Sequence, residues 1–370
     1  MRPTFAEINL KNLLYNYRGI RKKVSNSKVM AVVKADAYGH GMIECVKALE
    51  TLGDKKPEYY AVALLEEAIE LRKARVTKQP ILCFAPLTKN ELHEYIKYKI
   101  IPTITDFDQL KIIEKHGLKK EFPVHVNIDT GMGRVGIKFT QAVELVTNLN
   151  ETKNIVIDGI YTHFATSDEK DKTFANLQLD RFLDILNKLK ESKVNYGLVH
   201  AANSGAILDI PKVYFDMVRS GISLYGYYPS TETSESIKLK PVMSIVSEIS
   251  TVNSVKKGDS VSYGRKFIAK KKTKIVSVAI GYADGIRRGL TNKMLAIIKN
   301  KKYHQVGTVT MDRIMFDVNN DNIKIGDKII LIGESKNQKI TAMDWCEILD
   351  TIPYEITCGI GKRVPRIYKN

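Results

Sequence analysis

A lysine that closes an apolar run heads the residues able to do chemistry. Ala31-Val32-Val33 leads into Lys34, and Gly39 and Gly41 then open a turn. An amine placed there, desolvated and near other cations, loses basicity and becomes a nucleophile for a Schiff base. A solvated strand-end lysine is the plainer alternative, but the apolar flanks weigh against it. Other short apolar runs end in similar equipment: Asp129-Thr130-Gly131-Met132-Gly133-Arg134, Thr162-His163-Phe164, Asn203-Ser204-Gly205 and Arg219-Ser220-Gly221. The set lacks the carboxylate pair that glycoside hydrolysis uses. It also lacks a His and carboxylate cluster at metal-ligand spacing, so no metal is expected. The Ser204 hydroxyl and the Gly221-Ile222 backbone after Arg219 suit a phosphate, although Ser204 equally suits a helix cap. His163 alone reads as a core histidine; its place at a strand end beside a candidate arginine favours a site role.

Two further segments, Val261-Ser262-Tyr263-Gly264-Arg265 and Gly281-Tyr282-Ala283-Asp284-Gly285, each put a tyrosine in a glycine-flanked turn. Gly131-Met132-Gly133-Arg134-Val135-Gly136 matches G-x-G-x-x-G. It lies on the fifth strand–helix unit instead of the first, and an arginine stands where backbone should meet a pyrophosphate. These glycines therefore shape a turn that aims Arg134.

The elements that must position these residues follow from patterning. Strands are predicted at 30–33, 59–63, 81–84, 100–103, 124–129, 156–162, 197–201 and 213–218, with helical spacing between them and over Leu10–Val24. Eight strands alternating with eight helices, helix first, predict a closed (β/α)8 TIM-type barrel over residues 1–230. In that fold catalytic side chains sit at the C-terminal strand ends, which is where Lys34, Arg134, His163, Ser204 and Arg219 fall. After the polar link 229–236, strands at 243–252, 273–280, 294–298, 306–309, 314–318 and 328–332 and a helix at 342–349 predict a mostly β domain over 231–370.

The 370 residues carry 58 Lys and Arg against 41 Asp and Glu, for a net charge of +17. Of the basic residues 14 are arginine and 44 lysine, scattered along the chain without an arginine-bearing, aromatic-interleaved stripe. That pattern predicts a lysine-rich solvated surface and no nucleic-acid partner. No apolar run is long enough for a bilayer, and the N-terminus lacks a signal pattern. Four cysteines without a C-x-x-C pair fit a reduced, cytoplasmic setting.

The segment Ala31-Val32-Val33-Lys34-Ala35-Asp36-Ala37-Tyr38-Gly39-His40-Gly41 resembles the pyridoxal-phosphate attachment segment of the alanine racemase family. The resemblance continues through Asp129–Gly136, Tyr161–Ala165, Ala202-Asn203-Ser204, Val218–Tyr228, Tyr263, Gly281–Gly285, Met311-Asp312 and Arg363–Arg366. It implies pyridoxal 5'-phosphate as cofactor, with Lys34 as its attachment point and one catalytic base, and Tyr263, reaching in from a partner subunit, as the second base. It further implies that His163 bonds that tyrosine and that Arg219 meets the pyridine nitrogen. Tyr38, Asn203, Ser204, Gly221, Ile222 and Tyr354 would bind the cofactor. Arg134, Met311 and Asp312 would meet the substrate, with Tyr282 and Tyr354 narrowing the entrance. The expected activity is interconversion of L- and D-alanine by a homodimer with shared active sites, supplying D-alanine for peptidoglycan. The chain departs from the family at four places. Asn127 stands where many relatives carry a carbamylated lysine, so either the asparagine itself or an anion such as chloride must orient Arg134. Ser220 replaces a proline, Thr310 replaces a cysteine, and Phe84 stands where some relatives place tryptophan. The alternatives are a racemase for serine or a broader set of amino acids, and a non-catalytic pyridoxal-phosphate carrier, which would have no use for Tyr263.

Overall fold

The computed structural model describes residues 2–370. The chain divides into two compact units, one of residues 14–37 and 42–239, the other of the N-terminal residues through Leu13 with 38–41 and 240–370.

The first unit is built on eight parallel strands: Lys28–Val32, Tyr59–Val62, Ile81–Pro86, Ile101–Ile104, Phe122–Asp129, Ile155–Tyr161, Leu198–His200 and Met217–Ser220. Each pairs with the next in sequence, and Met217 returns to Lys28, so the sheet closes on itself. Tyr59–Val62 and Ile101–Ile104 are buried along their whole length. This is the signature of parallel strands covered on both faces. Helices lie between the strands and turn their apolar stripes inward. Thr173–Glu191, for example, buries Ala175, Gln178, Leu179, Phe182, Ile185 and Leu189, a helical repeat.

The expected TIM-type barrel is therefore present, with local differences. The last strand begins at Met217, not at residue 213, because Pro211 opens a 3-10 turn over Pro211–Val213. The polar link 229–236 folds with this unit: the Ser230 hydroxyl donates to Asp168 O, and the Ser234 amide to the Asp209 carboxylate.

The second unit is mostly β, as expected, but its boundary and order differ from the sequence reading. The chain does not begin with a helix. Phe5–Asn9 is a strand, and it pairs antiparallel with Met243–Val255 and parallel with Arg366–Lys369. Ala6 and Ile8 are fully buried between those neighbours, so the N-terminal residues belong to this unit and not to a 1–230 domain. The sheet runs 301–304, 295–298, 328–335, 243–255, 5–9, 366–369, with 273–278 and 314–317 continuing from 243–255. A strand expected at 306–309 is instead Lys301–His304, an edge strand paired with Leu295–Ile298. The helix Ala342–Leu349 starts at Thr341, whose hydroxyl accepts from the Asp344 amide, an N-terminal capping box.

Candidate active site

In the barrel unit, Lys34 follows Lys28–Val32 at the C-terminal end of the barrel and is partly buried. The backbone after it is left-handed: Ala35, Asp36, Ala37 and Tyr38 all have φ of 53–55°. The turn carries a helical bond from Ala37 N to Val33 O at 2.8 Å. For L residues this hand costs roughly 1–2 kcal/mol each, so four in succession mark a conformation that the surroundings enforce. The Glu67 carboxylate accepts from the amides of Ala35, Ala63 and Leu64, and Asp36 accepts from the Met42 amide.

Arg219, on the eighth barrel strand, is 3% exposed. Its NH1 donates to His200 Nδ1 at 2.9 Å and His200 O at 3.0 Å. Its NH2 donates to Thr162 O at 2.7 Å and Ala201 O at 2.9 Å, and faces His163 Nδ1 at 3.4 Å. Both terminal nitrogens are thus spent on the barrel, which leaves the Nε proton as the remaining donor. Burial pushes its pKa down to about 10, so it stays charged at neutral pH. Burial, followed by the charges of Arg219, Arg134 and Lys34, holds His163 well below the usual imidazole range. His163 is neutral, and with Nδ1 turned to a donor its proton sits on Nε2.

Ser204 opens the helix Ser204–Asp209, but the cap is Asn203, whose Oδ1 accepts from Ala206 N and from the Ser167 hydroxyl. The side chain of Asn203 is therefore committed to protein partners. Ser204 Oγ accepts the amides of Gly221 at 3.1 Å and Ser223 at 3.4 Å, which leaves its own proton free to donate outward. The hydroxyls of Ser220 and Ser223, on the same stretch of chain as those amides, are buried without a hydrogen-bond partner. The two amides are thus spent on Ser204, and the Ser204 hydroxyl lies at the start of the 3-10 turn Ile222–Tyr225.

Arg134 is exposed on the loop after the fifth strand. The amides of Gly131 and Gly133 both point at the Asp129 carboxylate, at 2.9 and 3.1 Å. They are unavailable to a pyrophosphate, which disposes of the dinucleotide motif. Asn127 Nδ2 donates to Val135 O, next to Arg134, at 3.0 Å.

In the β unit, Tyr38 is buried, with its ring centroid 5.8 Å from that of Tyr354. Tyr263 is 76% exposed on a turn fixed by two bonds to Thr308 and by Ser262 at φ 67°. Tyr282 and Met311 lie on neighbouring loops, joined by Tyr282 N to Thr310 O at 2.9 Å and Ala283 N to Met311 O at 3.1 Å. Gly281 makes this approach possible, because a Cβ there would lie 2.2 Å from Thr310 O. Asp284 is fully buried and accepts both terminal nitrogens of Arg2 at 2.9 Å and the Gly281 amide at 3.0 Å. Asp312 pairs with Arg363 at 2.7 Å.

Sequence reasoning missed the polar interior of the barrel. His125 and His200 are buried there, and Asp158, Tyr161 and Thr103 join them through hydrogen bonds and ring contacts. The available signal was a histidine inside an apolar run, in FPVHVNID and again in LVHAA.

Two family models cover the chain: alanine racemase, N-terminal domain, over residues 8–229, and alanine racemase, C-terminal domain, over residues 242–368. The chain belongs to the alanine racemase family. It is 42% identical to alanine racemase 2 of Caldanaerobacter subterraneus subsp. tengcongensis, over all of this chain and 95% of that one. Against alanine racemase of Halothermothrix orenii the identity is 41%, over all of this chain and 97% of that one. Among solved structures, alanine racemase of Clostridium difficile 630 superposes with a TM-score of 0.92 at 38% identity, covering 100% of this chain and 96% of that one. The Bacillus anthracis alanine racemase, solved with bound L-Ala-P, gives 0.91 at 34% identity, covering 100% and 96%.

Members of this family depend on pyridoxal 5'-phosphate. The barrel residues fit such a group. The Ser204 hydroxyl, with the buried and unpartnered hydroxyl of Ser223, whose amide it accepts, suits a phosphate, and the spare Nε proton of the buried Arg219 suits a ring nitrogen. Among the described residues no group of three or more His, Cys, Asp or Glu side chains could hold a metal ion. No helix among the described residues is long and apolar enough to cross a membrane.

Proposed function

We propose that this chain interconverts L- and D-alanine with pyridoxal 5'-phosphate, using Lys34 and Tyr263 as its two bases. The observation that carries the reading is the bonding of Arg219, a guanidinium that the barrel saturates at both terminal nitrogens and leaves with one uncommitted donor, Nε. An arginine donates a hydrogen bond to a ring nitrogen without surrendering the proton. When bound, the cofactor supplies the electron sink that makes the α-proton removable.

The chain's own residues do the rest. Lys34 holds the cofactor and moves a proton on one face of the substrate. The Tyr263 phenol moves it on the other, so the substrate need not turn over. Neutral His163 offers its Nε2 proton to the phenol oxygen of Tyr263 from a second copy. The three-quarters exposure of Tyr263 supports that exchange between copies, and a two-fold homodimer would then hold two shared sites. The Ser204 hydroxyl and its neighbours in the barrel unit hold the phosphate. Arg134 holds the substrate carboxylate, and Tyr282 and Tyr354 favour a methyl side chain. The setting is cytoplasmic, and the D-alanine serves peptidoglycan synthesis.

The test is a racemisation assay with cofactor across several L-amino acids. Alanine should turn over fastest; a cofactor-loaded protein that leaves alanine unchanged would overturn the reading. In Tyr263→Phe, solvent deuterium should enter one enantiomer much more readily than the other. Near wild-type exchange into both would remove Tyr263 as a base.

A further inference from the structure

Arg219 is a buried cation, and among the described residues none of the acceptors that touch it is a carboxylate. Such a charge needs compensation. The nearest anion reached through its bonds lies two imidazoles away. Arg219 NH1 meets His200 Nδ1 at 2.9 Å, His200 Nε2 meets His125 Nδ1 at 2.9 Å, and His125 Nε2 meets Asp158 Oδ2 at 3.0 Å. The Tyr59 hydroxyl donates to the same carboxylate oxygen at 2.9 Å.

The proton positions along this chain are determined by its two ends. A guanidinium only donates, so His200 Nδ1 accepts and its proton is on Nε2. That proton points at His125, so His125 Nδ1 accepts and its proton is on Nε2. The last bond then runs from His125 to Asp158, and an ionised carboxylate only accepts. Every bond points the same way, and both imidazoles are neutral. Burial, followed by the charge of Arg219, holds His200 well below the usual imidazole range. The bond from His125 holds Asp158 low against the opposing effect of burial.

The fold is built around the chain. Its members come from four neighbouring strands, with His125 opposite Gly159 and His200 opposite Tyr161 in the ladders. Gly159 leaves room for the His125 ring, since a Cβ there would sit 2.8 Å from His125 Cε1. Tyr161 stacks on His200 with centroids 4.7 Å apart, and the Arg219 guanidinium lies over the same ring at 5.2 Å.

We infer that Asp158, His125 and His200 are positioning residues for Arg219, a one-way hydrogen-bonded chain that brings a carboxylate's charge to the guanidinium and fixes the edge it turns to the cofactor ring. Bonds aligned head to tail polarise one another, so the remote carboxylate strengthens the last contact. The inference rests on the proposed racemase reading for its functional part.

The first measurement needs no variant. In wild-type protein labelled with 15N-histidine, His125 and His200 should both appear as neutral Nε2–H tautomers at neutral pH. A Nδ1–H tautomer or an imidazolium at either position would overturn the chain. The second measurement is Asp158→Asn, whose amide oxygen still accepts from His125 while the charge is gone. The kcat for alanine should fall about tenfold, a loss on the order of 1.4 kcal/mol, with KM within about twofold. The absorption maximum of the bound cofactor should move, and Asp158→Glu should restore most of kcat. An unchanged kcat and an unchanged absorption band in Asp158→Asn would overturn the positioning role. Wild-type protein that failed to racemise alanine would count against the proposed function, whereas the nitrogen spectrum decides the chain by itself.

Discussion

Lowering the pH from 7.5 to 5.5 should destabilise the barrel through two histidines. Burial, followed by the charges of Arg219, Arg134 and Lys34 for His163 and of Arg219 for His200, holds both imidazoles well below their ordinary range. The unfolded chain then takes up protons that the folded chain refuses. Stability therefore rises with pH, is complete above about pH 7.5, and falls as pH drops through the unfolded value of about 6.5. With both imidazoles neutral in the folded state over this range, each costs about 1.4 kcal/mol at pH 5.5, and the pair about 3 kcal/mol. Depressed carboxylates such as Asp158 act only at lower pH, so the window isolates the imidazoles. Urea unfolding at fixed protein concentration across the window reads the difference directly. His163→Gln and His200→Gln should each remove about half of the pH dependence. A flat profile in wild type, or one that neither variant alters, would refute the assignment of neutral imidazoles at His163 and His200.

Three further outcomes follow from the site. Borohydride treatment of cofactor-loaded protein, then peptide mapping, should recover the cofactor on Lys34; recovery on another lysine would defeat that assignment. Because Asn127 already holds the Val135 carbonyl beside Arg134, Asn127→Ala should lose about 1 kcal/mol of support and raise KM for alanine roughly fivefold. Wild-type activity should ignore chloride at constant ionic strength, and a chloride response would reinstate an anion in that role. Co-expressed Lys34→Ala and Tyr263→Phe chains, each nearly inactive alone, should regain roughly a quarter of wild-type activity, because half of randomly mixed dimers carry one site free of both lesions. No gain in a well-mixed sample would sink the shared site.

The periodic parts of the chain were legible. Leu10, Leu13, Tyr17, Ile20 and Val24 repeat at helical spacing, and the helix runs from Leu10 to Val24 as read. Apolar runs located the eight barrel strands, and the rule that side chains at their C-terminal ends do the chemistry then selected Lys34, His163, Ser204 and Arg219. What escaped depends on partners distant in sequence. The buried Asp284 is explained by Arg2, 282 positions away. Ala35–Tyr38 contains no glycine to announce a left-handed turn; that backbone is imposed by its surroundings and leaves no mark on composition. Lys301–His304 is a strand through pairing alone, since KKYH carries almost no apolar signal. Asn203 and Ser204 both suit a helix cap, and only the bond to Ala206 separates them.

The strand Phe5–Asn9 has a consequence for synthesis on the ribosome. It lies between Met243–Val255 and Arg366–Lys369, and neither neighbour exists when it emerges. At about 5–20 residues per second the first arrives on the order of 10–50 s later, after the whole barrel has been made. During that interval Ala6 and Ile8, fully buried in the finished protein, face solvent, and both hydrogen-bonding edges of the strand are open. A nascent chain stalled before residue 243 should therefore carry a folded barrel behind an unpaired leading strand, which is a surface that holding chaperones or other unpaired strands can occupy.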